Sequence, residues 1–329
     1  MFNFFKRLKA YAFPQKKFNK TGHFKRLELL ALEERVVPAT FTVVNNLDSG
    51  TGSLRQAIID ANTTAGNDTI DFAFATGTSP YTITLASALP NIAATSTAGT
   101  LTINGLGANN LIIDANQGNF SVFTIATGGN LSISGVTVTG AKTSGNGGAF
   151  NNSGALSVSN STLSGNSAGT FGGAIFNYNG ALSVSNSTLS GNNATYGGGI
   201  SNKLVSITIS YSTLSGNSAT TSGGSGGSGG GIQNNGSLTV SSSTISGNSA
   251  AKHGGGISNN SNLTISNSTL SGNSASSRGG GIYNSGNNLT LTNSTLSGNS
   301  AGTFGGGINN IGTLNIANTI IANSTSGGD

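Results

Sequence analysis

The sequence contains no cysteine and no tryptophan, one methionine and 4 prolines in 329 residues. Without cysteine there can be no disulfide, no thiolate nucleophile and no cysteine-ligated metal. Charged residues make up 7 % of the chain and aromatics 6 %. Such values would suit disorder, but the apolar 35 % is placed with strict periodicity, which disorder does not produce. No apolar run approaches the ~18–20 residues that span a bilayer, so no transmembrane helix is expected. The most informative absence is acidic. No Asp or Glu occurs between Ala115 and Gly328. Glycoside hydrolysis needs two carboxylates flanking the scissile bond, and calcium-assisted elimination needs several carboxylates plus a base. Neither set can be assembled on that stretch.

Basic residues are scarce there too. Residues 1–39 hold nine Lys/Arg against three Glu, and the rest of the chain holds five against six. The isoelectric point near 9.6 therefore belongs to the amino-terminal segment. From residue 115 onwards the only cations are Lys142, Lys203, Lys252 and Arg278, too few for a surface that tracks phosphates, so no nucleic-acid partner is expected. His253 is the only histidine outside the leader. It occupies the slot that other repeats fill with Phe171, Tyr196, Arg278 and Phe304, and with no acid nearby in sequence it reads as a variable, exposed corner residue.

What the chain does have is a repeat. Ser161-Thr162-Leu163-Ser164-Gly165-Asn166 returns with its apolar residue at Leu189, Leu214, Ile245, Leu270 and Leu296, at steps of 26, 25, 31, 25 and 26 residues. Weaker copies centre on Val138 and Ile321. An alternating apolar pair precedes each of them, for example Leu156/Val158 and Ile207/Ile209, and further upstream a Gly run ends in Phe150, Ile175, Ile200, Ile232, Ile257, Ile282 or Ile308. Period-2 alternation in short runs broken by Gly, Asn and Ser predicts strands and turns. A period near 25 residues predicts three strands per coil of a parallel β-helix, with equivalent residues stacked ~4.8 Å apart. Ala168, Ala194, Ala219, Ala250, Ala275 and Ala301 then form one inward column, and Asn166, Asn192, Asn217, Asn248, Asn273 and Asn299 a second at a turn. The expected fold class is all-β: a parallel β-helix of about 9–10 coils with an N-terminal capping helix.

Three divisions follow. Residues 1–39 form a basic targeting or leader segment. Residues 40–80 form a cap of strand, short helix and strand, in which Ser53 and Gln56 make a capping box and Leu54, Ala57, Ile58 and Ala61 share one face. Residues 81–329 form the solenoid, with a Gly/Ser insert at 221–230 expected to be a flexible loop. That insert lacks a Gly-Lys-Ser/Thr ending and is not a phosphate loop.

Family resemblances add to this. Leu27, Glu28, Leu30, Leu32, Glu33, Arg35, Pro38 and Ala39 resemble the N-terminal segment of planctomycete-type exported bacterial proteins, which implies export to the cell surface or beyond. Ser53-Leu54-Arg55-Gln56-Ala57-Ile58 with Asp60-Ala61-Asn62 resembles the CSLREA-type segment that precedes bacterial β-helices, with Gly52 where the namesake cysteine often lies. Gly172-Gly173-Ala174-Ile175 and Phe176-Asn177-Tyr178-Asn179 resemble the repeats of chlamydial polymorphic outer membrane proteins. Right-handed winding is implied by these resemblances and by the general preference of parallel β connections. Those proteins end in a membrane barrel; this chain runs from its last coil to Asp329, so no pore of its own is expected.

Two candidate sites emerge. If Leu163 and its equivalents point inward, Thr162/Ser164, Thr188/Ser190, Thr213/Ser215, Thr244/Ser246, Thr269/Ser271 and Thr295/Ser297 point outward as two hydroxyl columns. They resemble the Thr-x-Thr arrays of β-helical ice-binding proteins, with Ser in place of the second Thr. The alternative is a plain soluble strand face. Asp48, Asp60, Asp68, Asp71 and Asp114, with Arg55, form the only place where carboxylates could meet, and cap salt bridges and turn contacts also explain them. The expected function is therefore a non-catalytic extracellular structural or adhesive β-helix, with polysaccharide or cell-surface matrix as partner and neither cofactor nor metal. A carbohydrate-active or carbohydrate-binding β-helix with its site near the cap is the alternative, and ice or crystal-surface binding through the columns a third.

Overall fold

A computed structural model describes residues 37–75, 77–93, 99–222 and 225–325. The expected leader up to residue 36 lies outside them. The described chain is a parallel β-solenoid with one helix among these residues. Each uniform coil lays down strands in a fixed order, as in Ile175–Asn177, Ala181–Ser185, Thr188–Ser190 and Asn193–Ala194. Stacked from coil to coil, the Ala181–Ser185 type forms an 11-stranded sheet (sheet 1) and the Thr-Leu-Ser type a 10-stranded sheet (sheet 2). The Ile-x-Asn type forms an 8-stranded sheet (sheet 3), and the two-residue strands form a 7-stranded ladder.

Two expectations change here. Sheet 1 counts 11 strands, not 9 or 10, because Thr40–Val43 and Thr69–Phe72 pair in parallel with each other and with Leu101–Asn104. The cap strands are thus the first coils of the stack. The Ser-Ala dipeptides also pair, as in Ser218↔Ser249 and Ala219↔Ala250, giving four ladders per coil where three were expected.

The core is a set of single-residue columns. Leu163, Leu189, Leu214, Ile245, Leu270 and Leu296 are fully buried, as are the columns that run from Ile103 through Val158 to Leu291 and from Phe123 through Ile200 to Ile282. The alanines lie inward as expected. At the amino end, α1 (Leu54–Thr63) buries Leu54, Ala57, Ile58 and Ala61. Its N-cap Ser53 accepts from the Gln56 backbone N–H at 3.2 Å. The Gln56 side chain does not return the bond; it donates to Asp60 Oδ1 at 2.8 Å, so only half of the expected box forms. At the last described coil, Leu314 and Ile316 are partly exposed although they stack on the buried Leu289 and Leu291.

Polar groups inside the stack are satisfied by repetition. Asn166, Asn192, Asn217, Asn248, Asn273 and Asn299 are buried, and each of the first five donates its amide to the next Oδ1 at 2.9–3.2 Å. The same Nδ2 also meets a backbone carbonyl of the preceding coil, as in Asn217 to Leu189 at 2.9 Å. A second ladder runs through Asn152, Asn177, Asn202, Asn234, Asn259 and Asn284. A third feature is the buried serine column: Ser187 Oγ accepts from the Ser161 N–H and donates to the Ser185 carbonyl. Between sheets 1 and 2 the chain turns through a left-handed residue, Asn160, Asn186, Asn267, Asn293 and Asn318 in five coils and Tyr211 and Ser242 in two others. Gly197 (φ 67°) opens the tight turn into sheet 3, where a Cβ would strike the Ile200 carbonyl.

Candidate functional site

The carboxylates near the cap do not converge. Asp48 pairs with Arg55 at 2.6 Å, and Arg55 also donates to the Asp48 and Ser87 carbonyls. Asp60 accepts from Gln56. Asp68 is buried and accepts from the Ala39 N–H at 2.9 Å, joining the first coils. Asp71 accepts from the Asn104 side chain, and Asp114 from the Asn116 N–H at the left-handed turn. Each is a local structural acceptor. Asp68 borders a cavity of about 20 Å³, with Ala61, Gly66 and Leu101 in its wall. That is room for one water and not for a sugar. Among the described residues, no three His, Asp or Glu side chains group as metal ligands.

The hydroxyl columns form in the expected register on sheet 2: Thr162↔Thr188↔Thr213↔Thr244↔Thr269↔Thr295 and Ser164↔Ser190↔Ser215↔Ser246↔Ser271↔Ser297. All are half-buried, flanking a buried Leu or Ile. The Thr column is bounded by Ile112 and Ile320, and the Ser column runs from Asp114 and Thr139 to Ala322. On sheet 1 a shallow groove of about 360 Å³ is lined by Ser, Ala, Leu, Asn and Thr, with no titratable group.

A third surface lies outside sheet 3, and sequence reasoning missed it. The corner residues Phe171, Tyr196 and Ser228 stack in one parallel line, and His253, Arg278 and Phe304 in another. Phe171 and His253 fold back over outward side chains of sheet 3. Phe171 stacks on Phe176 and on Tyr196, with centroids 5.5 and 5.3 Å apart, and Phe176 meets the half-exposed Tyr178 at 6.3 Å. The Lys203 ammonium sits 3.5 Å from the Phe171 centroid. Burial lowers its pKa. Farther along, His253 stacks on Tyr283 at 4.6 Å, and the Arg278 guanidinium lies 5.7 Å from the Phe304 centroid. His253 is half-buried, unlike the exposed corner expected of it, and its Nδ1 is buried without a partner. Burial first, then the charges of Lys252 and Arg278, lower its pKa. The Gly/Ser insert borders this strip: Thr221–Ser222 pairs antiparallel with Ser225–Gly226, and a Cβ at Gly226 would press on Thr195 and Tyr196. Residues 223–224 of the insert lie outside the described residues. The signal available in the sequence was the shared slot of Phe171, Tyr196, His253, Arg278 and Phe304; what it could not show was that the slot closes onto Phe176 and Tyr283.

No family model and no curated protein matches this sequence. Among solved structures the chain is similar to the A-module of mannuronan C-5 epimerase AlgE6 from Azotobacter vinelandii. The two share 12 % identity with a TM-score of 0.31, over 86 % of this chain and 99 % of that one. The class that the fold defines is the parallel β-solenoid.

Proposed function

We propose that the chain is a non-catalytic, extracellular β-helix that serves as a structural or adhesive module at a bacterial cell surface, with polysaccharide or matrix as its partner. The observation that carries this reading is the disposition of the aspartates. Asp48, Asp60, Asp68, Asp71 and Asp114 are each engaged in a separate cap or turn contact, and no carboxylate follows until the last residue. Acid–base work on a glycan requires groups that face one substrate bond together. A rigid rod with polar, nearly uncharged faces suits contact over many coils instead. The export-type leader and the likeness of the repeats to polymorphic outer membrane proteins support the location. Antibody labelling of intact and permeabilised source cells tests it. Labelling of intact cells, released by washing with competing polysaccharide, is the expected result; signal only after permeabilisation contradicts it.

A further inference from the structure

We propose that the outer face of sheet 3 is a binding surface for an anionic polysaccharide lying along the solenoid axis, an inference that deepens the adhesive reading and rests on it. Segregation is the first reason. Between residues 131 and 325 every aromatic outside the core except Tyr211 belongs to this strip, as do Lys203 and Arg278, and Lys252 adjoins it as the chain neighbour of His253, leaving Lys142 as the one Lys or Arg elsewhere. The outward positions of sheets 1 and 2 are Ser, Thr, Asn and Ala in the same coils. A solenoid repeats its residues by default, so a departure confined to one face marks that face.

Uncompensated charge is the second. Lys203, Lys252 and Arg278 have no carboxylate partner among the described residues, whose one ion pair is Arg55–Asp48. Lys203 is half-buried against Phe171, where loss of water is offset only by the ring. An incoming anion would restore what burial removed. A concentration of buried polar atoms without partners, beneath the exposed groups, is the third. Ser201 Oγ, Gln233 Oε1 and His253 Nδ1 are buried without partners, all within this strip. Among the described residues the other such atom is Ser324 Oγ, beyond the last described strand, so three of the four fall on this face.

The spacing selects a polymer. Lys203 lies one coil beyond Phe171, and Lys252 and Arg278 follow two and three coils after it. At ~4.8 Å per coil the cations fall ~10 and ~14 Å from Lys203 along the axis. A compact anion would need them convergent; a chain bearing a carboxylate or sulfate on successive sugars meets them in turn. The exposed rings of Tyr178 and Phe304 present apolar faces to pyranose C–H groups beside those charges. Single-stranded nucleic acid also combines anions with stacking faces, but it carries a phosphate on every nucleotide, and three cations over this length neutralise few of them.

The test is equilibrium binding of the full chain to a polyuronate, a sulfated polysaccharide, a neutral glucan and single-stranded DNA. The parent protein is compared with Tyr178→Ala, Lys203→Ala, Lys203→Arg and Arg278→Ala, and thermal unfolding verifies that each is folded. One or both anionic polymers should bind and the neutral glucan should not. Each alanine variant should weaken binding about three- to tenfold, while Lys203→Arg retains it. Raising salt from ~50 to ~500 mM should weaken it by about tenfold or more. A preference for carboxylate or for sulfate identifies the anion, and either supports the proposal. Equal binding of the neutral glucan with all variants at parental affinity overturns the strip and leaves adhesion standing. Tighter, variant-sensitive binding of DNA replaces the polysaccharide with a nucleic acid. Binding to none of the polymers overturns the strip and the adhesive reading together and leaves a structural role.

Discussion

Tyr211 occupies the left-handed position (φ 50°) at the turn from sheet 1 to sheet 2, where most coils place asparagine. A side chain larger than Gly costs about 1–2 kcal/mol there unless, like Asn, it can bond locally. Tyr211 is 67 % exposed and anchors nothing. Tyr211→Asn is therefore expected to stabilise the fold by ~0.5–1 kcal/mol, read as a higher urea midpoint at unchanged slope. His253 makes the second prediction at this scale. Its folded pKa lies below the ordinary value because of burial and the adjoining Lys252 and Arg278, with the Tyr283 ring over it. A depressed value means that the folded state holds the proton less tightly than the unfolded chain. Its contribution is thus present above pH ~6.5 and is lost as pH falls from there toward the folded value. His253→Phe, which copies Phe171 and Phe304 in equivalent slots, should flatten thermal stability between pH 7.5 and 5; an unchanged slope would contradict this assignment. The slot was legible in the sequence as a variable residue before each Gly run. Its half-buried state was not, because the ring over it, Tyr283, belongs to the next coil, 30 residues along the chain, and the residue at that position changes from coil to coil.

The ladders carry the load at the level of elements. The Asn166 to Asn299 column was legible because its asparagine closes an invariant Ser-Gly-Asn. The Asn152 to Asn284 column was hidden among neighbouring Asn and Ser residues that face solvent, and the two-residue Ser-Ala strands were too short to register as strands at all. The cap strands were read as separate from the stack because Leu101–Asn104, the next strand of sheet 1, lies far along the chain from Thr69–Phe72. Asn217 is buried, bonds Leu189 and Asn248, and accepts from Asn192. Asn217→Ala leaves these groups unpaired in the interior and should destabilise by about 2–4 kcal/mol. Hydrogen exchange should show the loss concentrated in the coils around residue 217, as nearest-neighbour coupling requires. Uniform loss along the whole solenoid would argue against that coupling. Thr213→Tyr, on the outward column of sheet 2, should change stability by no more than ~0.5 kcal/mol.

At the scale of the molecule, the solenoid separates its tasks by face. Apolar columns and asparagine ladders fill the interior, sheets 1 and 2 present small polar side chains, and sheet 3 collects the rings and cations. Fold class was legible because periodicity encodes it in every coil. The binding surface was not, because it arises where single coils depart from the repeat, and only the stacked register brings those departures together. Among the described residues the carboxylates stay at the first coils in structural contacts, which is why binding without turnover is the expected behaviour. Co-sedimentation of the full chain with insoluble polysaccharides, with each supernatant assayed for newly released sugar ends, tests this most directly. Protein in the pellet without new ends is the predicted result. New ends that disappear in an Asp68→Asn/Asp71→Asn double variant would contradict the account and place chemistry at the cap.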